Sequence, residues 1–196
     1  MRPAARPGRV WAGVLCGMLW CGLAGPLRAE RGFAADFDAL FDKHAAEIAT
    51  PSPGTEVLEL PGPVILTRRS GAGVWAEDQS GHGRAGCALQ RLVEVTAAVQ
   101  LCPELLNAAE RDRLATLLMK AAAFAGRNTY PPLPEEAHRA ALMTELAAAR
   151  QAQLGACPTP EADWVRFARS LATDGAARRF ERIFSVPRLP LAQPCP

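Results

Sequence analysis

Past residue 29, no stretch of the chain approaches 18 apolar residues without a charge, which argues against a membrane-spanning helix there. No Cys-x-x-Cys or Cys-x-x-His pair is present, so the usual ligand spacing of a zinc site is missing. No Gly-x-Ser-x-Gly element surrounds any serine, which removes the nucleophile elbow of an α/β-hydrolase. Only three histidines occur, and one Glu-x-x-His pair, where a bundle carboxylate metal site needs two. These absences point away from metal and triad chemistry, and nothing in the chain calls for a cofactor.

The first 29 residues carry the clearest signal. Arg2, Arg6 and Arg9 precede an apolar run from Val10 to Gly25, shorter than the roughly 20 residues of a membrane span. This layout predicts a secretory signal peptide over 1–29, cleaved after Ala29 or, alternatively, near Ala24. Leu15 and Trp20 stand before Cys16 and Cys21, where a lipoprotein signal needs small residues. Removing 1–29 leaves 167 residues as one domain, 30–196, with 18 Lys+Arg against 20 Asp+Glu. A mature balance of −2 gives no global basis for binding nucleic acid. The expected location is periplasmic or secreted.

The expected fold is mostly α: a disulfide-stapled bundle of five to six helices with a small antiparallel β patch near the N-terminal third. Residues 33–49 place Phe33, Phe37, Leu40, Phe41, Ala45 and Ile48 on one helical stripe. Residues 56–60, 64–68 and 74–77 read as short strands separated by proline and glycine turns, a β patch over about 55–78. Helices are predicted over about 84–101, 107–126 and 134–154, then from Thr159-Pro160, and after Asp174-Gly175. Asn107 and Glu110 have the spacing of a capping box. Trp75 and Trp164 are expected in the core, and Phe167 on the inner stripe of its helix. The tail 186–196 is too rich in proline for regular structure.

Four cysteines remain beyond the leader, an even number that predicts two disulfides in an exported chain. Cys87 and Cys102 lie near opposite ends of one helix, about 22 Å apart, while a bridge tolerates a Cα separation of about 7 Å. They do not pair with each other. Helices that alternate in direction bring Cys157 to Cys102 and leave Cys87 for Cys195. Each bridge closes a long loop, for an entropic stabilisation of roughly 4 kcal/mol.

Three local patterns invite chemistry. Gly81-His82-Gly83-Arg84-Ala85-Gly86 is a literal GxGxxG between a strand and a helix. A dinucleotide fold also needs a second parallel strand, which the helices that follow do not supply. An anion held by His82, Gly83 and Arg84 is a weaker reading, and a connector that brings Cys87 to its partner is the plainer one. Asp78, Ser80 and His82 have the residue types of a triad, although triads are assembled in space and seldom from one loop. Glu135 with His138, and His44 with Glu47, are pairs of metal-ligand type whose plainer role is salt bridging.

Two further features concern partners. Tyr130-Pro-Pro-Leu-Pro has a PxxP spacing, read here as a stiff helix–helix connection. Arg166, Arg169, Arg178, Arg179, Arg182 and Arg188 face only Asp174 and Glu181 in the same span, a basic face suited to an acidic partner. The leading expectation is therefore an exported, non-catalytic interaction protein that binds an envelope protein or an anionic surface. Alternatives are an enzyme or anion-binding protein using loop 78–86, and a small-ligand carrier with its pocket between the β patch and the bundle.

Overall fold

The computed structural model describes residues 32–153, 155, 157, 159, 163–192 and 195. The predicted leader with Cys16 and Cys21, the predicted helix start at Pro160 and the side chain of Trp164 lie outside these residues. Six α-helices and a four-stranded sheet make up the described chain. Helix α1 (Phe37–Lys43) and a single 3-10 turn (Ala45–Glu47) are followed by β1 (Ala49–Ser52), β2 (Thr55–Leu60), β3 (Val64–Arg69) and β4 (Gly73–Asp78). Then come α2 (Ala85–Leu101), a 3-10 turn (Pro103–Leu105), α3 (Ala108–Asn128), α4 (Glu135–Ala152), α5 (Asp163–Leu171) and α6 (Asp174–Ile183). No helix among the described residues is long and apolar enough to cross a membrane.

The bundle follows its hydrophobic periodicity. Leu89, Leu92, Val93, Val95 and Val99 of α2 are buried against Leu114, Leu117, Leu118 and Ala121 of α3 and Leu142 and Leu146 of α4. Helix α3 opens with the expected capping box: the Asn107 side chain accepts from Glu110 N at 2.9 Å, and the Glu110 carboxylate accepts from Asn107 N at 2.8 Å. Two backbone donors at the helix start are thereby satisfied. The connection through Tyr130-Pro131 leads from α3 to α4, as the PxxP reading expects.

The sheet is an antiparallel meander in the order β1-β2-β3-β4. Its inner face carries Leu58, Val64, Leu66 and Ala76, packed with Leu40 and Phe41 of α1 and with Leu189 and Leu191 of the C-terminal tail. The Arg68 guanidinium lies 4.2 Å from the centre of the Phe41 ring and donates to Glu56 at 2.6 Å. That hydrogen bond holds Arg68 above its ordinary pKa.

The N-terminal third differs from expectation in two respects. The helix predicted over 33–49 is shorter, because the Asp36 side chain caps it by accepting from Ala39 N at 3.1 Å. Its far end gives way to a 3-10 turn, and the chain continues as β1, which contains Pro51. Proline fits an edge strand, where one side of the backbone needs no partner. Trp75 is the second correction: it is 57 % exposed. Strand alternation decides this, since Val74 and Ala76 face inward and Trp75 must point to the other face. Phe167 likewise points outward from α5, 42 % exposed.

Two disulfides staple the fold, Cys87–Cys195 with Cα atoms 5.5 Å apart and Cys102–Cys157 at 5.8 Å. They are the pairs that alternating helix direction predicts. Two bridges in one chain fit a location outside the cytoplasm. Beyond α6, residues 184–192 run as an irregular strap, and two glycines make room for it. A Cβ on Gly62 would meet Arg188 and the Pro187 carbonyl; one on Gly86 would overlap the backbone of Pro190 and Leu191.

Gly86 therefore gives a clear test. Alanine in a helix gains about 0.5–1 kcal/mol over glycine, but the overlapping atoms here are backbone, and overpacking costs about 1–3 kcal/mol. We expect Gly86→Ala to lower stability in urea titrations, and an unchanged or raised midpoint would mean the strap does not seat on α2.

Candidate functional site

The loop between β4 and α2 holds the triad-like residues, and its geometry shows what they do. Asp78 Oδ1 accepts from Ser80 N at 2.9 Å, and Ser80 Oγ accepts from His82 N at 3.2 Å. Each side chain thus caps the backbone two residues on, the standard use of Asp and Ser in turns. Gly81 and Gly83 have φ of 72° and 87°, conformations that suit glycine between these caps. The hydrogen bonds run through backbone nitrogens, so no side-chain line joins Asp78, Ser80 and His82.

The second carboxylate oxygen of Asp78 meets Arg188. Its Oδ2 accepts from Arg188 Nε at 2.7 Å, with the two side chains 1 % and 0 % exposed. Arg188 also donates to the carbonyls of Ile183 at 2.8 Å, Val186 at 2.9 Å and Gly83, and its guanidinium lies 5.8 Å from the Phe124 ring centre. Arg188 is thus not part of a solvated basic face; it is a fully buried structural cation. The glycine-rich loop serves this latch. The Gly83 carbonyl is occupied by Arg188, and Gly86 carries the strap. His82 and Arg84, the other residues of the anion reading, are half-buried beside it.

The metal-type pairs do not converge. His44 Nδ1 and Glu47 Oε1 are 2.9 Å apart at the surface. His138 packs its ring on Gly126, with Nε2 3.1 Å from the Leu133 carbonyl, so it holds the α3–α4 connection. Among the described residues one group of three possible ligands lies close together, Cys102, Glu104 and Cys157, and its two sulfurs are bonded to each other. The remaining arginines behave as expected of a surface. Arg166 and Arg169 on α5 and Arg178, Arg179 and Arg182 on α6 are all exposed, while Glu181 among them is held by Lys120 at 3.2 Å.

Where the β patch meets the bundle, a groove of about 890 Å³ opens. One wall is β4, through Val74, Trp75 and Ala76. The floor is Leu89 and Val93 of α2 with Ala148, Ala149 and Ala152 of α4. Phe33 and Phe37 close one side, and Pro190, Leu191 and Ala192 of the strap contribute another. The polar groups are few. Gln153 donates to the Glu94 carbonyl at 3.0 Å, and the Glu94 carboxylate accepts from Gln90 and Arg91, each at 2.9 Å. The Glu145 carboxylate rests against Gly32. A larger concavity of about 1390 Å³ beyond Phe37 is lined mainly by turn and strand-end residues of 50–56 and 68–71.

No family model matches the chain, and no curated protein or solved structure matches it significantly.

The residues of the triad-like loop are separable by their partners. Removing one member of a buried ion pair leaves the other charge uncompensated, at a cost of about 3–5 kcal/mol. We expect Asp78→Ala and Arg188→Ala each to destabilise on that scale, and the double variant to lose clearly less than their sum. Ser80→Ala, which removes one turn cap, should cost about 1 kcal/mol. Strictly additive losses in a double-mutant cycle would contradict a coupled latch.

Proposed function

We propose that this chain is an exported, non-catalytic binding protein, and that it binds in the groove between β4 and the α2–α4 floor. The observation that carries the reading is the groove itself. A volume of about 890 Å³ lies within the range of small-ligand sites, about 300–1,000 Å³. Its walls are mostly apolar, come from both layers and the strap, and include the exposed ring of Trp75. Large exposed aromatics at the rim of an apolar cleft are typical of binding surfaces. The two disulfides and the layout of residues 1–29 support a periplasmic or secreted setting.

A neutral apolar dye tests the reading. Nile red should bind with a stoichiometry of one, and at a free concentration one hundred times its Kd it should stabilise the fold by about 2.7 kcal/mol. Ala148 is an exposed groove residue, so Ala148→Phe should fill the cleft without disturbing the core. Dye affinity should fall about tenfold, the effect of roughly 1.4 kcal/mol. Full-strength binding by this variant would place the dye elsewhere and sink the proposal.

The exposed arginines of α5 and α6 favour a second reading, a surface for an anionic partner. Five arginines on adjacent helices outnumber Asp163, Asp174 and Glu181 of the same helices, a local excess of positive charge. Retention on dextran sulfate should fall as salt rises. Changing Arg166, Arg169, Arg178, Arg179 and Arg182 together to glutamine should abolish it, and unaltered retention would remove this reading.

A further inference from the structure

The groove touches β4 in an unusual way. Val74, Trp75 and Ala76 are consecutive, yet all three line it. Side chains alternate along a strand, so a cleft lying on one face of the sheet would meet every second residue. Contact with three in a row means that the groove runs along the outer edge of β4. Among the described residues no strand pairs with that edge.

The register shows which backbone groups point there. Gln79 N donates to the Pro63 carbonyl at 2.9 Å, so 63 and 79 form a hydrogen-bonded pair of the antiparallel ladder. With Ile65 opposite Glu77 and Thr67 opposite Trp75, the odd residues of β4 turn their N–H and C=O groups toward β3. Val74 and Ala76 then direct theirs outward along the groove. Ala76 is 8 % exposed, and its edge groups border an apolar cleft. Backbone groups in that position gain most from a partner that supplies its own N–H and C=O.

The two edges of the sheet are treated differently. Strand β1 has four residues, contains Pro51 and pairs with β2 through an irregular register. Those are the features that block strand addition. Strand β4 has six residues, no proline and an unbroken register with β3. One edge is closed, and among the described residues the other is open above a cleft.

We propose that the groove takes an extended polypeptide segment that adds to β4 as a fifth strand, with apolar and basic side chains alternating. This rests on the reading that the groove is the binding site. The inward positions of such a segment lie beside Val74 and Ala76, over Leu89 and Val93, and call for apolar side chains. The outward positions lie beside Trp75 and Glu77, both exposed, and suit lysine or arginine through cation–π and charge contacts. Main-chain pairing supplies the affinity in this mode, and the alternate side chains supply the preference.

The test uses a fluorescein-labelled, end-blocked heptapeptide of alternating valine and lysine, followed by anisotropy with the intact protein. Two further peptides carry N-methyl groups on the lysines or on the valines, so that one of them blocks the pairing edge. We expect the parent to bind saturably, one N-methylated form to bind about tenfold more weakly, and the other to bind nearly as well. Ala76→Pro removes an outward N–H that β3 does not use. It should weaken the parent peptide about tenfold. Equal binding of all three peptides would overturn strand addition. Dye binding without peptide binding would overturn it too, while the groove reading survived; loss of both would remove the groove reading as well.

Discussion

Arg188 against Asp78 is the contact on which the rest of the structure depends. One guanidinium ties the last residue of β4, the loop carbonyl of Gly83, the end of α6 at Ile183 and the turn at Val186. Taking both charges out of water costs several kcal/mol per ion, and mutual attraction offsets this only when the remaining donors find partners. Here they do: Arg188 uses Nε and both terminal nitrogens on four oxygens. The pair is therefore better understood as a device that sets register between layers than as a large net source of stability. A sheet and a helical bundle can slide on an apolar interface with little penalty. They cannot slide when a buried carboxylate must meet one arginine.

The strap carries that constraint into the groove. Leu189 and Leu191 belong to the cluster beneath the sheet, and Pro190 and Leu191 press on the start of α2 at Gly86. Tail residues thus act as filling between the two layers. Without them, Leu58, Val64 and Leu66 would lack part of their cover, and the β patch is too small to be stable by itself. The glycine-rich loop belongs to the same arrangement. Its glycines let the chain turn back on itself and let another segment approach, the physical role they also have in nucleotide-binding loops, here with the protein's own tail in the place of a ligand.

Much of the architecture was legible because it depends on local spacing. The stripes of α2 and α3, the Asn107–Glu110 box and the strand–turn alternation of 56–77 are visible without tertiary information. The disulfides followed from helix length and direction. What escaped depends on partners far along the chain. Arg188 resembles its exposed neighbours in sequence, and only its contact with Asp78, 110 residues away, separates it from them. Trp75 looks like core by residue type, and only the phase of β4 turns it outward. Strand β1 has neither the hydrophobic pattern nor the propensity of a strand; pairing with β2 makes it one. The candidate anion residues His82, Gly83 and Arg84 belong to a motif in which the Gly83 carbonyl accepts from Arg188 and Gly86 lies under the strap, contacts that no local spacing announces. The carrier reading named the junction of sheet and bundle, but the groove's lining comes from five separate segments that no local window can assemble.

The placement of the fastenings bears on how the groove would bind. Pro190, Leu191 and Ala192 line it, and they lie between two anchors, the Arg188 latch on one side and the Cys87–Cys195 bridge on the other. A wall made of irregular chain would ordinarily be free to collapse into an apolar cleft. Held at both ends within seven residues, this one has little slack. The opposite wall is a strand in full register with β3, and the floor is two long helices packed through buried leucines. A cleft with such walls is formed before any occupant arrives. The proposed binding would then require ordering of the incoming segment alone, which favours affinity for a short extended ligand whose own contact area is small. The latch and the disulfide therefore bear on the proposed binding as much as on folding: they hold the wall that faces the edge with which no described strand pairs.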